Sequence, residues 1–189
     1  RNEEGLSPLP FATIRPHASH GSTAMVQVGF GLPPGASFEA MRQRFLDRYA
    51  TRIALETRLF PGGEALLLAL EGAGLKWGVV TNKSQRFSRP LTAAMPLFAS
   101  ASTIVSGDTT PYSKPHPEPL FEAARQLGLA PQECIYVGDD ERDIQAGRAA
   151  GMGVVVSCSA LKHVYRDCLR KKVNGRVRFI LLDGPRDLI

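Results

Sequence analysis

The chain has 189 residues, 43% of them hydrophobic and 22% charged, proportions that exclude a disordered, collagenous or coiled-coil protein. Its longest aliphatic run covers residues 65–70, far short of the ~20 residues that span a bilayer, and no secretory signal is present in the chain as given, so a soluble, cytoplasmic protein is expected. The formal charge of +5 is local: residues 160–178 hold seven Lys or Arg against one acid, Asp167, and the other residues hold 16 basic and 17 acidic groups, which describes a solvated basic segment rather than a nucleic-acid groove.

Residues 1–58 show no clear strand. Phe38, Met41, Phe45 and Leu46 stand at helical spacing between charged neighbours, which predicts an amphipathic helix over 38–49, and residues 25–28 belong to another helix. The expectation for 1–58 is a small helical subdomain. From residue 59 onward the pattern alternates. Pro61 opens a helix that Gly72 and Gly74 close, and residues 77–81 follow as a short apolar strand headed by a core tryptophan, Trp77. A helix over 87–95, a strand over 102–105, a helix over 118–127 closed by Gly128, and a strand over 134–137 come next. A helix over 143–150 closed by Gly151 and a strand over 154–156 complete the series. Strands that are apolar throughout and separated by helices predict an α/β fold: a doubly wound, Rossmann-like parallel sheet covered on both faces. In such sheets the functional groups collect at the strand C-terminal ends.

The three cysteines, Cys134, Cys158 and Cys168, form neither a CxxC pair nor an even disulfide set, which points to a reducing compartment. Cys134 reads as a small core hydrophobe.

Three segments at or after strand ends carry the polar chemistry. Thr81-Asn82-Lys83 follows the first strand, Ser113-Lys114-Pro115-His116-Pro117-Glu118 lies beyond the second, and Gly138-Asp139-Asp140-Glu141-Arg142-Asp143 follows the third. Thr81 and Lys114 are 33 positions apart, and Lys114 and Asp139 25, each spacing enough for a helix and a strand. A hydroxyl, an ammonium and a carboxylate cluster therefore converge on one edge. That set suits phosphoryl transfer. The hydroxyl and nearby backbone N–H groups hold phosphoryl oxygens, the lysine neutralises developing charge, and the carboxylates hold Mg²⁺, which prefers hard oxygen donors. Taken singly, each segment also has an ordinary reading as a strand-end turn, an exposed loop lysine, or a helix N-cap. His17 and His20 lack a third ligand at metal spacing and read as surface or packing residues.

These segments resemble the second, third and fourth motifs of the haloacid dehalogenase-like hydrolase superfamily. The chain is similar to its phosphoglycolate phosphatase group, and within it to the N-acetylmuramic acid 6-phosphate phosphatases, through residues 21–26, 38–42, 45–49 and 77–83. The likeness runs from Gly5 to Ser157, and three motifs in order at fitting spacing make it specific. It implies that Thr81 binds the phosphoryl group with the Asn82 backbone, that Lys114 stabilises an aspartyl-phosphate, and that Asp139 ligates Mg²⁺. Asp143 then supports the metal or Lys114, and Asp140 is left outside the ligand set. The helical subdomain becomes a partial cap, with Arg15 on its substrate-facing loop. The family's first motif, Asp-x-Asp-Gly-Thr, supplies the nucleophile and a central strand, and no Asp-x-Asp occurs among these 189 residues; family topology places it before Arg1. Residues 159–178 also depart from the pattern of relatives. The expectation is a phosphomonoesterase of a small phosphorylated metabolite, with no nucleic-acid or membrane partner and no signal for oligomeric state. The alternatives are an inactive relative that binds a phosphorylated ligand or a protein, or a mutase or dehalogenase.

Overall fold

The computed structural model describes residues 1–157 and Asp167. Cys158, Cys168 and the basic segment, Asp167 apart, lie outside the described residues.

The N-terminal third is helical. Helices α1 (Phe11–Ile14), α2 (Gly21–Phe30) and α3 (Ala36–Ala50) pack on one another, with a 3-10 turn over Arg15–His20 between the first two. α3 is the predicted amphipathic helix begun two residues earlier, and it buries Phe38; α2 contains the predicted apolar residues and buries Val26 completely. α1 and the turn escape the sequence reading because four to six residues are too few to establish a period.

The remaining elements follow the predicted order: α4 (Gly63–Gly72), β1 (Gly78–Val80), α5 (Gln85–Ala93), β2 (Thr103–Val105), α6 (Glu118–Leu127), β3 (Ile135–Gly138), α7 (Glu141–Ala149) and β4 (Gly153–Val156). α6 ends at Gly128, whose φ of 69° is left-handed, as the helix-stop signal requires. α7 starts two residues before the predicted Asp143, because Asp140 takes the N-cap position. Among the described residues all strand pairs are parallel. β1 pairs with β2 from Gly78–Thr103 to Val80–Val105, and β3 pairs with β4 from Ile135–Gly153 to Gly138–Val156. The fold is the predicted parallel α/β class.

Two details differ from the expectation of one covered sheet. β1–β2 and β3–β4 form separate two-stranded sheets. Ile135, Val137 and Val155 also remain 71%, 65% and 52% exposed. The physical reason for the second is the period of two along a strand. α7 covers only the face that carries Tyr136 and Val154, both of which a Cβ added at Gly147 would touch.

What joins the two sheets is a shared core. Leu120 of α6 and Ala146 and Ala150 of and after α7 are buried against Val80, Tyr136 and Met152. Trp77 is buried as predicted, donating from Nε1 to Glu71 Oε1 at 2.8 Å, with its ring 5.9 Å from that of Phe98. Cys134 is half-buried, and burial pushes its thiol pKa up. The end of α3 docks on the start of α5. Asp47 pairs with Arg86, the Tyr49 hydroxyl accepts from Lys83 Nζ at 2.5 Å, and the Tyr49 and Phe87 rings lie 5.5 Å apart. Among the described residues no helix is long and apolar enough to cross a membrane.

Candidate functional site

Each polar segment is delivered by a strand that stops at the same edge. β1 ends at Val80, and Thr81 N–H still bonds Val105 O of β2 at 2.9 Å, which fixes the direction of the outgoing chain. The Thr81 hydroxyl accepts the Lys83 N–H at 3.1 Å, an ST-type turn that folds residues 81–83 tightly. Only a glycine fits opposite this turn. A Cβ added at Gly107 would sit 2.6 Å from the Asn82 carbonyl carbon.

Asn82 then reaches the next segment. Its Nδ2 donates to Lys114 O at 2.8 Å and its Oδ1 accepts from Lys114 N at 3.0 Å, a reciprocal pair across 32 positions of sequence. The family resemblance implies a backbone role for Asn82; the structure gives its side chain the task of pinning Lys114. Replacing Asn82 by Ala is expected to cost about 1 kcal/mol of stability, read as a lower denaturant midpoint. Asn82→Asp is expected to cost more, since a carboxylate accepts from Lys114 N–H but repels Lys114 O.

The Lys114 side chain runs inward and is only 10% exposed. Its Nζ donates to Tyr136 Oη at 2.6 Å, Asp143 Oδ1 at 2.8 Å and Val80 O at 3.0 Å. Asp143, 7% exposed, is equally engaged. Oδ1 accepts from Lys114 and from the Tyr136 hydroxyl at 3.1 Å, and Oδ2 accepts the Asp139 and Asp140 N–H groups at 3.1 Å each. Burial opposes ionisation of Asp143. The Lys114 ammonium and the two backbone donors outweigh it and hold the carboxyl below its ordinary range. Burial and the Asp143 charge push the Tyr136 phenol far above its usual value, so it stays protonated.

The position of Asp143 comes from local chemistry. Asp140 caps α7, accepting the Arg142 N–H at 2.9 Å, while Asp143, three residues on, accepts back from Asp140: a capping box. Hydrogen bonds from Arg142 hold the Asp140 carboxyl well below its usual range. Gly138 makes room for Asp143, since a Cβ there would lie within 2.5 Å of the Asp143 Cβ and Cγ.

Of the sequence-predicted residues, the structure brings Thr81, Asn82, Lys114, Asp139 and Asp143 to one edge. Arg15 is not among the residues bonded there. It is exposed and opens the 3-10 turn that packs on α1 and α2. Among the described residues no group of three His, Cys, Asp or Glu side chains is arranged to hold a metal. Tyr136 escapes the sequence reading. Its signal is slight, one hydroxyl in an otherwise apolar strand two residues before Gly138.

The chain is similar to known proteins over most of its length. The haloacid dehalogenase-like hydrolase family profile matches residues 22–157. A phosphoglycolate phosphatase of Xanthomonas campestris pv. campestris is 42% identical over 156 residues, covering 82% of this chain and 71% of the relative. An N-acetylmuramic acid 6-phosphate phosphatase of Pseudomonas aeruginosa is 43% identical over 190 residues, covering 100% of this chain and 82% of the relative. That match runs past Ser157 to the rest of the chain. Among solved structures, a predicted phosphoglycolate phosphatase of Haemophilus somnus superposes with a TM-score of 0.66 at 25% identity, over 80% of this chain and 75% of that one. By profile, sequence and fold, the chain belongs to the haloacid dehalogenase-like hydrolase family.

Proposed function

We propose that this chain is the greater part of a Mg²⁺-dependent phosphomonoester hydrolase acting on a small sugar phosphate or carboxylic acid phosphate. The observation that carries the proposal is the buried Lys114–Asp143 pair set beside Thr81 and the Asp139 carboxylate. It is a fixed positive charge at the edge where a parallel sheet exposes backbone donors. The nucleophile is an aspartate outside these 189 residues, which contain no Asp-x-Asp. One strand between β1 and β3 would carry it. A carboxylate oxygen bonds to phosphorus as the ester P–O bond breaks and the alkoxide leaves with a proton. Water then attacks the same phosphorus as its bond to the carboxylate oxygen breaks, which frees the carboxylate, releases inorganic phosphate and returns to solvent the proton that the alkoxide took from it.

In this reading Thr81 Oγ1 and the Asn82 N–H hold the phosphoryl oxygens, and Lys114 offsets the charge that develops on them. The carboxylates fit Mg²⁺ unequally. Both oxygens of Asp143 are committed to four donors, and Asp140 is paired with Arg142. Asp139 remains as an exposed carboxylate at the strand end. Mg²⁺ takes few protein carboxylates and keeps several waters, so Asp139 would ligate it directly and Asp143 would support it by fixing the Asp139 backbone. The ion supplies Lewis-acid stabilisation of phosphoryl charge. Residues 1–58 act as a cap, with Arg15 facing the substrate.

The test is phosphate release by the protein of the complete reading frame. Phosphoglycolate and N-acetylmuramic acid 6-phosphate are the substrates, with Mg²⁺ and after its removal by chelation. Turnover of at least one ester, lost on chelation and restored by Mg²⁺, is expected. Release unaffected by chelation would sink the metal assignment, and no release from any phosphomonoester would sink the function. Thr81→Val is expected to raise KM for the productive ester with little change in thermal midpoint, because its half-buried turn loses a single hydrogen bond.

A further inference from the structure

We propose that Asp108 is a positioning residue for the phosphoryl-binding turn. Its carboxylate, acting through the Gln85 N–H, holds residues 81–85 in the conformation that presents the Thr81 hydroxyl and the Asn82 N–H to a phosphoryl group. This rests on the phosphohydrolase reading above and gives a task to an aspartate outside the three polar segments.

The turn has two ends to be held. The sheet fixes the near end, since the Thr81 N–H bonds Val105 O at 2.9 Å and β1 pairs with β2 up to Val80–Val105. The far end runs into α5, whose N-cap position is Ser84. A serine there ordinarily caps its own helix, yet the Ser84 side chain makes no capping bond. The cap comes from another segment: Asp108 Oδ1 accepts the Gln85 N–H at 2.8 Å, across 23 positions of sequence. One residue before Asp108, the Gly107 N–H donates to Lys83 O at 2.9 Å. The loop after β2 therefore grips the turn on both sides of Ser84, once by backbone and once by a side chain.

That loop is itself well tied. The Ser106 N–H donates to Thr109 Oγ1 at 2.9 Å, and the Thr109 N–H donates back to Ser106 O at 3.0 Å. The buried Ser106 hydroxyl also lies 2.6 Å from that of Ser88 on α5. All these bonds stand on the side of β1 that β2 already occupies, so a further strand between β1 and β3 leaves them unchanged. Without the Asp108 bond, residues 82–85 keep only the Gly107–Lys83 contact to the loop. The turn then visits other conformations, and ligand affinity falls with the fraction that stays competent. Ester and transition state use the same two donors, so KM moves rather than kcat. The charge of Asp108 does not help, because a negative group beside this turn repels a phosphoryl anion. What counts is the acceptor at Oδ1, which an asparagine also offers.

The experiment compares the complete enzyme with Asp108→Ala and Asp108→Asn, each assayed well below its thermal midpoint. It measures kcat and KM for the productive ester, the competitive inhibition constant of inorganic phosphate, and hydrogen exchange of the Gln85 amide. Asp108→Ala is expected to raise KM and the inhibition constant about fivefold each, with kcat unchanged within about twofold, and to lose protection of the Gln85 amide. Asp108→Asn is expected to bring all of these back to within about twofold of wild type. Unchanged KM and inhibition constant in Asp108→Ala, whatever its midpoint does, would make Asp108 a helix cap alone and overturn the proposal. A Gln85 amide still protected in that variant overturns it too. Should Asp108→Ala not fold, Asp108→Asn decides: a fivefold weaker KM there, or a Gln85 amide that exchanges freely in the wild type, overturns it as well. Exchange needs no turnover, so an enzyme inactive on every ester would defeat the functional reading while the Gln85 amide still judged the bond to Asp108.

Discussion

Lys114→Met is expected to cost about 3 kcal/mol of folding stability and to lower turnover by at least about a hundredfold. The stability loss comes less from the lysine than from what it leaves behind. Asp143 is almost fully buried and would keep three hydrogen bonds, from Tyr136 and two backbone N–H groups, but no counter-charge. Its folded-state pKa, now held below the ordinary value, would rise once the ammonium is gone. In the wild type a depressed folded pKa contributes stability above the unfolded carboxylate pKa of about 4, and that contribution is lost as pH falls through the folded value. The difference between wild type and Lys114→Met is therefore expected to be largest near neutrality and to shrink in acid. Pairing Lys114→Met with Asp143→Asn should restore part of the stability and none of the turnover. Denaturant midpoints at several pH values, with phosphate-release assays, measure both. Equal wild-type and Lys114→Met midpoints at neutral pH would show that the pair is not a stabilising element.

Gly138→Ala is the second large effect, and it needs no change of charge. Gly138 ends β3 and pairs with Val156, so its backbone is fixed by the ladder on one side and by the start of α7 on the other. The added methyl would occupy the space of the Asp143 side chain. Either β3 moves, breaking its register with β4, or Asp143 moves, losing Lys114 and the capping box together. Overpacking alone costs about 1 to 3 kcal/mol, and the displaced carboxylate adds to it, so about 3 kcal/mol and near-complete loss of activity are expected. Thermal melting and the same phosphate-release assay check this. A stable, active Gly138→Ala protein would mean that the strand end yields easily and that Asp143 is not confined there.

The docking of α3 on α5 bears on how the proposed cap would communicate with this edge. Lys83, which bonds the Tyr49 hydroxyl, is the residue whose N–H closes the Thr81 turn. The last turn of α3 is thus two bonds away from the group proposed to hold phosphoryl oxygens.

Periodicity and motif order specify the class of fold and the three polar segments of the cluster, though not Tyr136. Apolar runs of three or four residues between helical periods specify parallel strands. The order Thr81-Asn82, Lys114, Asp139 to Asp143 then places their side chains at one edge, because every strand of such a sheet points the same way. The Asp140–Asp143 spacing is also a legible capping box, a local signal for a start of α7 at Glu141 that apolar periodicity alone passes over. Which bonds those residues make depends on the folded arrangement. The Asn82 clamp on Lys114, the entry of Tyr136 and the four donors around Asp143 join positions up to 56 apart in sequence. Pairings of that kind depend on strand order and side-chain direction, which a one-dimensional pattern does not encode. The requirement for glycine at 107 and 138 arises in the same way, from a backbone or a carboxylate brought close by a different segment. Periodicity and motif spacing are local and survive in the sequence; hydrogen-bond geometry at a strand edge exists only once the strands are side by side.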